Sequence, residues 1–388
     1  MVRMIASLAA LLLVASCAKN SDIFEDVGSR IASPTSITID VASDRLYLVN
    51  SNDKVLYDPT QGNFQVYDIA DPLAPVLLGT AQTLSFTGQL YLDAATGRAY
   101  APNRYTANDS VKTGLLYEFN VDESSADFLS SAEETIQAGS FGMQCCYPPN
   151  RAWITSSWQD ENRPIYQYVD IGPTLVFGSV PLWTTLDNGS QLTNCQATYE
   201  VISGSQAFLT RYYGGIMIIN LDDADVPGSV PMDYFISDIE APRGLAVDGT
   251  ELYITGEGND LSGDWRQFLM VLDVSGLTPD PSNASTRLLN KSSEGLLKSF
   301  VRVGNNPQEV LLTQDYAFVT NQNDDTVSVI SRATQTVVAT IGVGRSPVSM
   351  ALYRTLAGEE KYVYVGNIYD NNISVIDIPT LAVVATVP

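Results

Sequence analysis

Residues 307–388 are two copies of one pattern, and a chain that repeats itself folds as an array of like units. The first copy runs Pro307-Gln308-Glu309-Val310-Leu311-Leu312, then Tyr316-Ala317-Phe318-Val319-Thr320-Asn321, Thr326-Val327-Ser328-Val329-Ile330 and Thr336-Val337-Val338-Ala339-Thr340-Ile341. The second answers with Pro347-Val348-Ser349-Met350-Ala351-Leu352, Tyr362-Val363-Tyr364-Val365-Gly366-Asn367, Ile373-Ser374-Val375-Ile376-Asp377 and Ala382-Val383-Val384-Ala385-Thr386-Val387. Asn321 and Asn367 lie 46 residues apart and the prolines 40, so the second copy carries a six-residue insertion around Arg354 to Glu360. Each copy is four short β-branched runs of period two, with Asn and Asp at the turns and no room for a helix. Four antiparallel strands repeated at this period form a propeller blade.

These two copies resemble the YVTN β-propeller family, named for its Tyr-Val-Thr-Asn strand. Ala317-Phe318-Val319-Thr320-Asn321 and Val363-Tyr364-Val365-Gly366-Asn367 match that strand, and Val338-Ala339-Thr340-Ile341-Gly342-Val343-Gly344 matches the family's fourth strand and exit. Fainter copies start near Pro34, Phe86, Phe141, Ser190 and Pro242. The expected fold is therefore all-β, a seven-bladed propeller of four-stranded antiparallel blades in one domain spanning residues 34–388. The last copy holds all four of its strands, so the ring is expected to close without a strand from the N-terminus, unless Asp22 to Val27 adds one at the rim.

The N-terminus gives an address. Arg3 precedes an apolar run from Met4 to Val14, a length suited to a signal-peptide core and too short to span a bilayer, which takes about 20 residues. It ends in Leu13-Val14-Ala15-Ser16-Cys17, which resembles the lipobox of bacterial lipoproteins: small residues before the cut, then the cysteine that takes the lipid. The resemblance implies a signal peptide over 1–16, lipidation at Cys17 and a tether over 17–33. The membrane is then a partner through lipid alone, and Ala18, rather than Asp, in second place favours the outer membrane.

Charge and one absence exclude whole classes of function. With 21 Lys plus Arg against 44 Asp plus Glu, a net charge of −23 opposes nucleic acid and anionic headgroups. The chain has no histidine, which removes the commonest general base and metal ligand, and with them Ser-His-Asp triads and His-based zinc sites. Asn323-Asp324-Asp325 and Asp222-Asp223-Ala224-Asp225 lack the spacing of a calcium loop and read as turns, so no metal site is assigned. Gly256-Glu257-Gly258-Asn259 reads as a strand-to-strand turn, and Trp153, Trp158, Trp183 and Trp265 chiefly as core.

Beyond Cys17, three cysteines remain. Alignment to the clear copies puts Cys145 and Cys146 in the innermost strand of blade three and Cys195 just before that of blade four. Since neighbours in a strand point to opposite faces, one of the pair is expected to bridge to Cys195. The alternatives are free thiols or a vicinal Cys145–Cys146 link, which some quinone-dependent propeller dehydrogenases carry beside their cofactor.

Loops that lead into the innermost strands surround one mouth of a propeller's channel, and a ligand is expected there. The residues placed at that mouth are Arg243, Asn306, Gln308 and Arg345, whose two guanidinium groups suit a carboxylate. The expected function is a non-enzymatic binding or scaffolding module of the cell envelope, with an envelope protein or glycan as partner and no cofactor. The competing class is an enzyme, either a lactonase-like hydrolase or a quinone-dependent dehydrogenase.

Overall fold

The computed structural model describes residues 31–51, 62–84, 87–104, 113–137, 139–156, 165–182, 184–193, 195–211, 213–226, 230–259, 262–280 and 285–388. Seven antiparallel sheets succeed one another along the chain, each ordered from an innermost strand outwards. Their innermost strands are Pro34–Asp40, Tyr91–Asp93, Ser140–Cys145, Ala197–Ser203, Ala241–Asp248, Pro307–Leu312 and Pro347–Arg354. The expected seven-bladed propeller is the observed fold. Among the described residues the sole helical element is a 3-10 turn, Leu221–Asp223.

The described residues depart from the simple repeat in places: a two-stranded sheet, Thr184–Thr185 with Gln191–Leu192, lies between blades three and four. A fifth strand, Arg287–Leu289, pairs in parallel with Met232–Ile236 at the outside of blade four. It comes from a long excursion between Trp265–Asp273 and Leu297–Arg302 of blade five, so one blade laps onto its neighbour. Gly256 to Asn259 do not turn. They continue the strand Glu251–Asn259 opposite Trp265 to Phe268. Glycine is needed at 256 because a Cβ there would lie 2.6 Å from the Ala241 carbonyl oxygen.

The second strand of each blade is apolar on both faces, because each face meets a neighbouring blade. In Tyr316–Asn321, Phe318 packs with Met350, Val363 and Val365 of blade seven. Its strand neighbours Ala317 and Val319 pack with Tyr253, Leu269 and Val271 of blade five. That strand ends on a buried asparagine in four blades: Asn50, Asn103, Asn321 and Asn367. The side chain ties its strand to the next; Asn321 Nδ2 donates to Thr326 Oγ1 (3.0 Å) and Ser328 Oγ (2.9 Å). Asn367 Nδ2 does likewise to Asn372 Oδ1 and Ser374 Oγ.

Threonine just before that position stitches the hub. Thr255 Oγ1 accepts the N–H of Gly244 and donates to the carbonyl of Gln308 in the next blade, both at 2.9 Å. Thr155 repeats this between Gly142 and Thr198. The innermost strands bulge where these bonds form, at Pro242/Leu245 and Pro307/Val310 for example. Thr255→Val keeps the volume and strands two buried backbone groups, at about 1–3 kcal/mol for each unsatisfied group. Urea unfolding is expected to show a loss of roughly 2–3 kcal/mol; an unchanged midpoint would remove the stitch from the account of the hub.

Blade seven takes its four strands from the C-terminal end, and among the described residues no strand crosses between it and blade one. Side chains close the ring: Ile37, Leu46 and Leu48 pack against Ala351, Tyr364 and Val375. Ile31, Ala32 and Ser33, placed in a tether from sequence, are buried at this joint. Ser33 N–H donates to Asn371 Oδ1 (3.2 Å), as Ser346 N–H donates to Asp325 Oδ1 (2.9 Å) between blades six and seven. Cys17 and Asp22 to Val27 lie outside the described residues.

Candidate functional site at the mouth of the channel

A cavity of about 220 Å³ opens at the mouth where the innermost strands begin. Its wall is built from two repeated positions. One is the start of the innermost strand, which contributes Phe141, Tyr199, Gln308 and Glu309; the other directly follows the buried asparagine, which contributes Arg104 and Gln322. Both positions face the channel in successive blades, so the repeat itself gathers these side chains.

The electrostatics of the wall follow from burial. Burial pushes the Glu309 carboxyl up to about 8, against the pull of the Met350 N–H that donates to its Oε2 at 2.7 Å. The Tyr199 phenol is also raised by burial; Arg104 opposes that shift, Glu309 adds to it and Arg243 opposes it. The Arg104 guanidinium stands 4.4 Å above the centroid of Phe141. Its Nε is buried with no hydrogen-bond partner, and so is Gln89 Oε1 in the same wall.

Of the four residues placed at the mouth from sequence, Gln308 lines the cavity. Asn306 stands behind it: Gln308 Nε2 donates to Asn306 Oδ1 (2.9 Å), and Asn306 Nδ2 to Gln322 Oε1 (2.7 Å). Arg243 is not part of the cavity wall; it sits within electrostatic reach of Tyr199 and 3.9 Å from Glu257. Arg345 lies outside the site, its side chain 65% exposed and paired with Asp370 at 2.6 Å. Its backbone N–H also goes to Asp370, which holds it along the linker rather than into the channel.

Sequence reasoning missed Arg104, Tyr199 and Glu309. The position after the strand-ending asparagine is a signal that finds Arg104, because Ser51, Gln322 and Ile368 at the same place also line the cavity. Glu309 is the neighbour of a residue already chosen.

The cysteines are arranged differently from the expectation. Cys145 and Cys146 are bridged to each other, and Cys195 is a free, fully buried thiol pushed up to about 11 by burial. The strand direction explains why Cys195 is not reached. Cys145 closes its strand at the far end of the channel and packs towards Tyr100 and Ile136 of blade two. Cys195 precedes its strand and packs with Trp153 and Leu209 between blades three and four.

The acidic clusters hold groups of the chain itself, backbone in one case and side chains in the other. Asp324 and Asp325 accept the N–H groups of Asn305 and Ser346, while Asp225 receives Arg151 and Tyr168. Among the described residues no group of three or more His, Cys, Asp or Glu gathers as a metal site would require. Trp153 is core and Trp265 half exposed; Trp158 and Trp183 lie outside the described residues.

No protein-family model matches the chain, and no curated protein matches it. Solved structures do. The hydrazine synthase of Kuenenia stuttgartiensis superposes with a TM-score of 0.63 at 12% identity, over 91% of this chain and 98% of that one. Saccharomyces cerevisiae Sqt1 does so at 0.59 and 9% identity, over 91% and 97%. A functionally unknown protein from Desulfotomaculum acetoxidans follows at 0.55 and 12%, over 90% and 94%. The likeness is one of fold. At such identities it carries no activity or ligand to this chain.

Proposed function

We propose that this chain is a lipid-anchored envelope protein whose propeller is a non-enzymatic binding module, with the channel mouth as its recognition site. The mouth cavity carries this reading: it is concave, lined mostly by polar side chains converging from several blades, with Phe141, Tyr199 and a few aliphatic groups between them, and held by strands. The resemblance of residues 307–388 to YVTN repeats and of Leu13 to Cys17 to a lipobox supports the envelope setting. An envelope protein or glycan is the partner that such a setting offers.

Two experiments test the two halves. Cys17→Ser is expected to move the protein from the membrane fraction to the soluble fraction of detergent-free extracts; continued membrane association would refute the anchor. A photo-crosslinking residue at exposed Asn305, beside the mouth, should trap a partner in intact envelopes, whereas one at Leu356 on the opposite face, 81% exposed, should not. Trapping at Leu356 alone would move recognition away from the mouth.

A second reading has one observation behind it. Glu309, a buried carboxyl held near 8, has the acidity of a general acid or base working at neutral pH. Turnover of a substrate that Glu309→Gln abolishes would convert the binding module into an enzyme.

A further inference from the structure

We propose that the mouth cavity is a carboxylate site, with Arg104 as the residue that grips the ligand. This rests on the reading of the mouth as a recognition site and names the chemistry it takes.

Several arginines elsewhere in this molecule hold carboxylates. Arg151 pairs with Asp170 at 2.6 Å and Asp225 at 2.7 Å, and Arg45 with Asp68 and Glu123. Arg332 pairs with Asp248. A guanidinium taken from water is costly unless it is paired, and a chain with 44 carboxylates has partners to spare. Arg104 makes no ion pair among the described residues, although Glu309 stands in the same cavity wall. Its Nε is buried without a partner while Phe141 supports the ring-facing side. A planar cation stacked on an aromatic, with no counter-charge among the described residues of its cavity, is a receptor for a planar anion.

Size and field narrow the anion. At ~30 Å³ per water, the cavity holds roughly seven waters, room for a small acid or the end of a chain. A single arginine inside a protein of net charge −23 neutralises one negative charge, and a dianion such as phosphate meets the repulsion of the whole. A monocarboxylate fits. Gln89 Oε1, buried and unpartnered in the same wall, is an acceptor for a hydroxyl or N–H group beside the carboxylate. Small hydroxy acids and free peptide C-termini both present that arrangement.

The test titrates the mature chain by calorimetry and thermal shift with acetate, lactate, inorganic phosphate, and one short peptide with either a free or an amidated C-terminus. Saturable binding of lactate or of the free-acid peptide is expected, with phosphate and the amide at least tenfold weaker. Which of the two carboxylates binds more tightly identifies the source. Arg104→Lys retains the charge, loses the bidentate fork, and should weaken that binding at least tenfold; Arg104→Ala should abolish it. A melting temperature near wild type for both variants shows that folding is not the cause. If neither carboxylate saturates the wild type, if phosphate binds as well as they do, or if Arg104→Ala binds normally, the inference is overturned. A partner trapped at Asn305 alongside any of these results would leave the mouth as a recognition site and remove only its carboxylate chemistry.

Discussion

Trp153→Ala is expected to cost about 3–5 kcal/mol of stability. Trp153 is fully buried between blades three and four, stacked on Tyr166 with ring centroids 4.7 Å apart. Its indole Nε1 donates to the Tyr147 carbonyl at 2.6 Å, so the substitution opens a cavity and also leaves an acceptor bare. Tyr168 leans on the same ring at 5.1 Å, and Arg151 lies 3.7 Å from the Tyr168 centroid, so the damage reaches the Arg151–Asp170 pair. Urea unfolding monitored by circular dichroism measures the loss; a change below about 1 kcal/mol would contradict the packing described.

Glu309→Gln is expected to remove the pH dependence of stability that this carboxyl imposes. The folded state holds Glu309 at about 8, above its ordinary value of 4.5, so the folded protein binds the extra proton between these limits. Its contribution is full below about 4.5, falls as pH rises, and is lost by about 8, where the carboxylate must ionise inside the wall. Each unit in that window corresponds to about 1.4 kcal/mol at most. The groups that face it are the Met350 N–H, Tyr199 and, around Tyr199, Arg104 and Arg243. Glutamine keeps the shape and cannot ionise. The variant should match wild type near pH 5 and exceed it by roughly 2–4 kcal/mol near pH 9. Parallel curves for the two proteins from pH 5 to 9 would sink the assignment.

Blades six and seven were legible because their repeat is nearly intact, and a repeat states both period and strand content. Thr320 and Asn321 show what the pattern preserves: one accepts the Glu309 N–H at the hub, the other ties its strand to the next. Blade two was fainter for a physical reason. Its innermost strand is only Tyr91–Asp93, with Thr87 bridging to Asn103 beyond it, so little of the alternation survives. The lapping strand Arg287–Leu289 was invisible, since three residues in a long excursion carry no periodicity. The site was half legible. The mouth followed from the fold and Gln308 from its place beside Pro307, but Arg104 and Tyr199 belong to weakly aligned blades. The cysteine bridge failed for want of strand direction: residues in adjacent inner strands meet only if they lie at the same end of the channel.

The joint between blades seven and one has a topological consequence. Val387 pairs with Ile373 as Ile341 pairs with Val327, and Ser33 answers to Ser346 in bonding the preceding blade. By that correspondence Pro388 stands where Gly342 does and Ile31 where Gly344 does, so one residue in the place of Val343 would bridge them. At this joint the ring is in effect a circle that has been cut between one blade and the next. A circular permutant reopened at Val343 would keep every strand pairing. The joint at Val343 and the one at Ile31 lie on the face that bears the cavity. Ile31, the first described residue, therefore sits on the same face of the disc as the mouth of the cavity.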